Sequence, residues 1–215
     1  MDFRAAIFDM DGTLVDSQTA WKNCYAKALA SIGFTLTEDE FAMLYRMTSD
    51  EHSEYFRRIY GLQNHDGIIS FETLIDNFNN DIKNQYALEI NEKTNALKYI
   101  KTLHDKGISM CVATLSSIEL AKSVLTRLGI SPFLKFIITG DDVGRSKKFP
   151  DIYLAAAKKL GCSPHETAVF EDCPTAIQTA YNAGFIVCGV AEPHQDHSEV
   201  HSHCRLRINC FSEII

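Results

Sequence analysis

Nowhere in its 215 residues does the chain carry about 18 consecutive apolar residues, which excludes an ordinary membrane-spanning helix. The N-terminus enters a strand-like pattern at once, without the charged, apolar and small-residue regions of a secretory leader, so a cytoplasmic protein with no membrane partner is expected. Positive charge is also short. There are 21 Lys and Arg against 28 Asp and Glu, and the basic residues are scattered rather than striped, so the net charge of −7 leaves no footprint for nucleic acid. The seven cysteines are an odd set with no Cys-x-x-Cys pair, and several lie inside apolar runs such as Met110-Cys111-Val112. Reduced, packed thiols are expected, not a disulfide framework.

What is present is enough for a sizeable core. A hydrophobic content of 46% over this length suits one large domain, or a core plus a smaller insertion. After about residue 105 a strand, loop, helix unit repeats, which predicts a parallel sheet covered by helices. Ser109 to Ala113 reads as a strand, and Ile118, Ala121, Val124, Leu125 and Leu128 then share one helical face before Gly129. Strands are also predicted at Ala5 to Phe8, Phe136 to Thr139, Ala168 to Phe170, Ile186 to Val190 and Leu206 to Ile208. Helices are predicted from about Pro150 to Leu160 and from Pro174 to Ala183, each followed by glycine.

Between Ser17 and Leu88 the pattern changes to aromatic-rich, charged helical segments without proline. The fold class expected is therefore α/β, a doubly wound, Rossmann-like parallel sheet from residues 1–16 and 89–215, with a helical domain inserted at 17–88. An insertion that leaves after the first strand and returns before the second belongs above the carboxyl edge of the sheet, where open α/β folds bind ligands.

That edge is where the chemistry is written. Asp9 and Asp11 directly follow the first strand, and holding unit charges about 4 Å apart costs roughly 4 kcal/mol at an effective dielectric near 20. A cation must offset this. Mg²⁺ suits the position because it takes hard oxygen ligands, one or two carboxylates and a substrate phosphate. A second acidic pair, Glu171-Asp172, follows the predicted strand at Ala168 to Phe170, so two strand ends could converge on one ion.

The stretch Asp9-Met10-Asp11-Gly12-Thr13-Leu14-Val15-Asp16-Ser17 resembles the opening signature of the haloacid dehalogenase superfamily, and the later motifs follow the order of its β-phosphoglucomutase-like phosphatase branch, which carries a helical cap. The resemblance implies that Asp9 is a nucleophile forming an aspartyl-phosphate and that Asp11 is the general acid and then the base. Thr114, in Val112-Ala113-Thr114-Leu115-Ser116-Ser117, matches the second motif, so phosphate binding is assigned to Thr114, Leu115, Ser116 and Lys147. Either Ser116 or Ser117 would cap the helix that follows. Lys147 comes from Ser146-Lys147-Lys148-Phe149-Pro150-Asp151, where Lys148 stands in place of the family's usual proline. In Glu171-Asp172-Cys173-Pro174-Thr175-Ala176 the resemblance makes Asp172 a direct Mg²⁺ ligand, together with Asp9 and the Asp11 backbone carbonyl; Glu171 is a further ligand or acts through water. Cys173 and Ala176 replace the usual serine and glycine without removing a ligand.

The reading at this level is a Mg²⁺-dependent phosphatase of a small phosphorylated metabolite, of sugar phosphate or phosphoglycolate type, and a monomer or at most a weak dimer. A sugar phosphomutase is the alternative enzyme. It is disfavoured by the lack of an arginine near Thr48-Ser49, although Arg46, Arg57 and Arg58 are close in sequence. A dehalogenase would need neither Asp11 nor Asp172, and a non-catalytic phosphometabolite-binding module remains the reading of another class. Residues 89–95 also lack the Pro-Gly with which this group commonly re-enters the core. The stretch from 192 to 204, with four histidines and a cysteine, is read as a solvated loop in preference to a zinc or nickel site.

Overall fold

Ala5-Ala6-Ile7-Phe8 is a four-residue strand with every side chain buried, as a strand covered on both faces must be. In the computed structural model, which describes residues 2–45, 47, 49–62, 69–192 and 198–215, this strand (β1) lies at the centre of a six-stranded sheet. The other strands are β2 (Ser109–Thr114), β3 (Phe136–Thr139), β4 (Thr167–Glu171), β5 (Ile186–Val190) and β6 (Leu206–Ile208). All pair in parallel in the order β3-β2-β1-β4-β5-β6. The α/β doubly wound architecture expected from the strand and helix alternation is the one found.

The chain folds as two compact units, Met1–Asp16 with Asn91–Ile215, and Ser17–Ile90. The second unit is helical: α1 (Gln18–Ala30), α2 (Glu38–Leu44), α3 (Ser49–Tyr60) and α4 (Phe71–Asn84), the last continued by a π turn at Gln85–Glu89. That continuation, with Ile90 buried beyond it, carries the unit two residues past position 88. Its core is aromatic. Tyr25 and Phe78 stack with centroids 5.3 Å apart, and the Trp21 indole N–H donates to the Tyr86 hydroxyl at 2.8 Å. Two of its helix starts are capped by side chains: Thr37 and Glu40 form a capping box, and the Ser70 hydroxyl accepts from the Thr73 N–H.

The sheet is covered by α5 (Ala96–Asp105), α6 (Ile118–Arg127), α7 (Gly140–Val143), α8 (Asp151–Leu160) and α9 (Pro174–Asn182). Side chains alternate across it. Ile7, Cys111, Ala113, Val169 and Val187 share a core cluster with Ile152, Tyr153 and Ala156 of α8 and Ile177 of α9. On the opposite face Phe8 stacks on Phe170 at 4.6 Å, and Tyr99 of α5 stacks on Phe211 at 5.4 Å. All seven cysteines are free, and Cys24, Cys111 and Cys188 are buried.

The re-entry into the sheet unit is made without the usual glycine. Asn95 adopts φ +63°, the left-handed conformation that asparagine tolerates better than other side chains, and its amide donates to the Ser212 hydroxyl at 2.7 Å. Arg46, Thr48 and residues 193–197 of the histidine-rich stretch lie outside the described residues. Among the described residues no helix is long and apolar enough to cross a membrane.

Candidate active site

In the order β3-β2-β1-β4-β5-β6, the crossovers from β1 run to one side and β4 begins the other, so a crevice opens between the carboxyl ends of β1 and β4. Phe8 pairs with Phe170, and the Asp9 N–H donates to the Phe170 carbonyl at 2.9 Å. Asp9 and Glu171 therefore extend the register by one residue and return to the face carrying Ile7 and Val169, the face covered by α8. Two neighbouring carboxylates on a buried face need compensation, and α8 and the loop before it supply it.

The Lys147 ammonium bonds to Asp9 Oδ1 and lies 2.5 Å from Glu171 Oε1. The Tyr153 hydroxyl of α8 donates to the same Glu171 oxygen at 2.7 Å. Glu171 Oε2 accepts the backbone N–H groups of Asp172 and Cys173 at 3.1 and 3.2 Å. Asp9, Lys147, Glu171 and Asp172 are all less than 9% exposed. Lys148, the neighbour that could have taken the role in sequence, is exposed.

The electrostatics follow from this crowding. Burial, and next the Glu171 charge, push the Asp9 carboxyl up to about 8, against the pull of Lys147. Burial and the charges of Asp9, Glu171 and Glu192 raise the Asp172 carboxyl well above its ordinary value. Burial would lower the Lys147 ammonium, but Asp9 and Glu171 outweigh it and hold the group protonated above its ordinary value. Burial and the Glu171 charge likewise raise the Tyr153 hydroxyl, which stays a donor.

Opposite this cluster, at the end of β2, the Ser116 hydroxyl donates to Asp11 Oδ2 at 2.7 Å, and the Ser116 N–H donates to Thr114 Oγ1 at 3.0 Å. Ser117 caps α6 by accepting the Leu120 N–H at 3.4 Å. This settles which of the two serines is the cap. It also alters the part expected of Ser116, whose amide is turned to Thr114 and whose hydroxyl orients Asp11. The Thr13 hydroxyl donates to Asp172 Oδ1 at 3.2 Å, tying the loop after β1 to the loop after β4.

Asp9, Glu171 and Asp172 offer carboxylate oxygens that all lie within 4.8 Å of one another, the one group of this kind among the described residues that could hold a metal ion. Hard carboxylate oxygens are the donors Mg²⁺ takes, and one or two of them suffice beside water and a substrate phosphate. Glu171, expected as a ligand or a water-mediated neighbour, has both oxygens taken by protein donors. The arrangement suits it to orienting Lys147 and the Asp172 loop. His201 and His203, on the 3₁₀ turn Ser198–His203, join no such group among the described residues, and the His203 ring packs on Tyr181 at 4.5 Å.

Sequence reasoning gave Tyr153 no role, although it lies two residues beyond the quoted Ser146–Asp151 stretch that supplies Lys147.

The model of the haloacid dehalogenase-like hydrolase family matches residues 6–190, from inside β1 to the end of β5. The chain belongs to this family. It is 27% identical over 190 residues to a phosphorylated carbohydrates phosphatase of Thermotoga maritima, covering 84% of this chain and 81% of that one. It is 26% identical over 182 residues to the fructose-1-phosphate phosphatase YqaB of Escherichia coli, covering 85% and 93%. Among solved structures, a family hydrolase from Entamoeba histolytica superposes with a TM-score of 0.80 at 27% identity, over 99% of this chain and 95% of that one. CbbY from Rhodobacter sphaeroides in complex with phosphate superposes at 0.81 over 99% and 96%; at 22% identity it shows the shared fold of this hydrolase family member.

Proposed function

We propose that this hydrolase is a Mg²⁺-dependent phosphatase acting on a small phosphorylated carbohydrate or related metabolite. The observation that carries the proposal is the Lys147 ammonium lodged between Asp9 and Glu171, with Asp172 within coordinating reach of the same oxygens. The relatives that act on phosphorylated carbohydrates and on fructose 1-phosphate support the substrate class.

Asp9 attacks phosphorus with a carboxylate oxygen while the P–O bond to the ester oxygen breaks. Asp11, oriented by Ser116, gives its proton to that leaving oxygen. Asp11 then takes a proton from water, which attacks the same phosphorus, releases inorganic phosphate and restores the Asp9 carboxylate. Lys147 neutralises the anionic oxygens around phosphorus, and Thr114 with the Leu115 main chain and the start of α6 faces them from the other side. Asp9, the Asp11 carbonyl and Asp172 would hold Mg²⁺, whose charge offsets that of the carboxylates and phosphate and stabilises charge developing in transfer.

The helical unit Ser17–Ile90 is read as the cap, whose side chains choose the ester beyond its phosphate. The protein is further read as a cytoplasmic monomer or weak dimer.

The test is phosphate release from a panel of sugar phosphates, polyol phosphates, phosphoglycolate and an aryl phosphate, with Mg²⁺ and with chelator. Release that requires Mg²⁺, and is lost in Asp9→Asn with the circular dichroism spectrum unchanged, is expected. Full activity in Asp9→Asn, or isomer formation from hexose 1-phosphate without phosphate release, would overturn it.

A further inference from the structure

Lys147 stands on the turn between α7 and α8, at the end of a long flexible stem whose rotamer freedom must be removed before its charge can serve phosphorus. Asp9 and Glu171 take two of its three N–H bonds. The third has a defined direction only if Glu171 is itself held in place.

Tyr153 holds it. This residue opens the first turn of α8, is fully buried, and packs its ring edge-on against Phe185 with centroids 6.1 Å apart. Its hydroxyl donates to Glu171 Oε1 at 2.7 Å, the oxygen that Lys147 meets at 2.5 Å, while two backbone amides hold Oε2. One lone-pair direction of Oε1 therefore goes to the phenol and leaves one for the ammonium. The Lys147 nitrogen also lies over the Tyr153 ring, 5.7 Å from its centroid, so ring and hydroxyl act on one lysine from two directions.

Core packing does not call for the hydroxyl. Phenylalanine would fill nearly the same space, and burying a hydroxyl is unfavourable unless it is bonded. The bond it makes is to a charged group, and such bonds are short and strong. A neutral donor fixes the Glu171 carboxylate without adding a second positive charge to compete with Lys147 for Asp9 and Glu171.

We propose that Tyr153 is a positioning residue for phosphoryl transfer: acting through Glu171, its hydroxyl sets the place of the Lys147 ammonium, and so where that charge meets the oxygens on phosphorus. The inference rests on the phosphatase reading above and extends it one residue outward from phosphorus.

The test is a double-variant cycle on phosphate release from p-nitrophenyl phosphate at saturating Mg²⁺, using the whole protein as wild type, Tyr153→Phe, Lys147→Met and the two combined. Misplacing a group in an active site by about 1 Å can cost on the order of a hundredfold, and Tyr153→Phe, which keeps the ring, is expected to lower kcat about tenfold. In the Lys147→Met background the same substitution should change kcat by less than about twofold, because the group it positions is gone. A hydroxyl that served the fold alone would leave kcat within about twofold in Tyr153→Phe, or lower it by the same factor in both backgrounds; either result overturns the proposal. Should the combined variant not fold, Tyr153→Phe carries the test, measured well below its thermal midpoint and with its circular dichroism spectrum unchanged, and kcat within about twofold of wild type overturns the proposal. Full activity in Lys147→Met, or none in wild type, would overturn the phosphatase reading itself. Full activity in Tyr153→Phe beside a loss in Lys147→Met overturns this inference alone.

Discussion

Gly12 faces Asp172 so closely that a β-carbon on residue 12 would lie 2.5 Å from Asp172 Oδ2 and 2.9 Å from its Cγ. Residue 12 also sits at φ +83°, where a side chain is strained. Gly12→Ala therefore pushes directly on a carboxylate proposed to bind the cation. The expected outcome is a folded protein of lower thermal midpoint with at least about tenfold weaker Mg²⁺ activation. Measuring phosphate release across a Mg²⁺ titration checks it, and an unchanged activation curve would remove Asp172 from the metal site.

The adjacent lysines should separate cleanly. Lys147 is buried against Asp9 and Glu171, whereas Lys148 is exposed and contributes its backbone carbonyl to the Thr179 hydroxyl at 3.3 Å. Lys147→Met is expected to lower kcat by about a hundredfold or more, the scale of losing one charge-stabilising donor. Lys148→Met leaves kcat within about twofold, as surface changes away from special features usually do. Steady-state kinetics on one sugar phosphate distinguish them, and the reverse pattern would assign the phosphate role to Lys148.

At the re-entry to the core, backbone conformation decides what is tolerated. Asn95 at φ +63° should accept glycine with little change in stability, offset by loss of its bond to Ser212. Asn95→Val should cost about 1–2 kcal/mol because a branched β-carbon is crowded in that conformation. Urea unfolding of the two variants provides the comparison, and equal midpoints would contradict the left-handed assignment.

The helical unit should be sensitive to acid through His52. Its Nε2 lies 2.8 Å from the Leu44 carbonyl, which can only accept, so that nitrogen carries the proton of the neutral ring, with the Tyr25 hydroxyl 2.7 Å away. Burial lowers the imidazole below its ordinary value of 6.5, against the smaller opposing effect of the Leu44 carbonyl. The unfolded chain then binds the proton more readily than the folded one. Stability is full above about pH 6.5 and falls as the pH drops toward the folded value. Thermal midpoints from about pH 7.5 down to about pH 5.5 should decline less steeply in His52→Gln than in wild type. Parallel curves would show that His52 is not held neutral.

Much of this arrangement could be read from local order in the chain. Asp9, Glu171 and Asp172 each follow a short apolar strand, and a run of that kind has few alternatives to a buried parallel strand whose end carries the ligand. The family signature then attached roles to those positions.

Pairings across long separations were a different matter. The bond from Ser116 to Asp11 joins residues 105 apart, Tyr153 reaches Glu171 across 18, and Lys93 reaches Glu192 across 99. Sequence placed Ser116 in a loop and offered it as a helix cap or a phosphate donor; the register of β1 against β2 turned its hydroxyl to Asp11. It gave Lys147 a phosphate role, and the packing of α8 on the sheet added Tyr153 as a second donor to Glu171. Residue type and strand-end position are local properties that the chain states directly. Which donor meets which carboxylate depends on register and helix packing, where a shift of one residue turns a side chain to the opposite face.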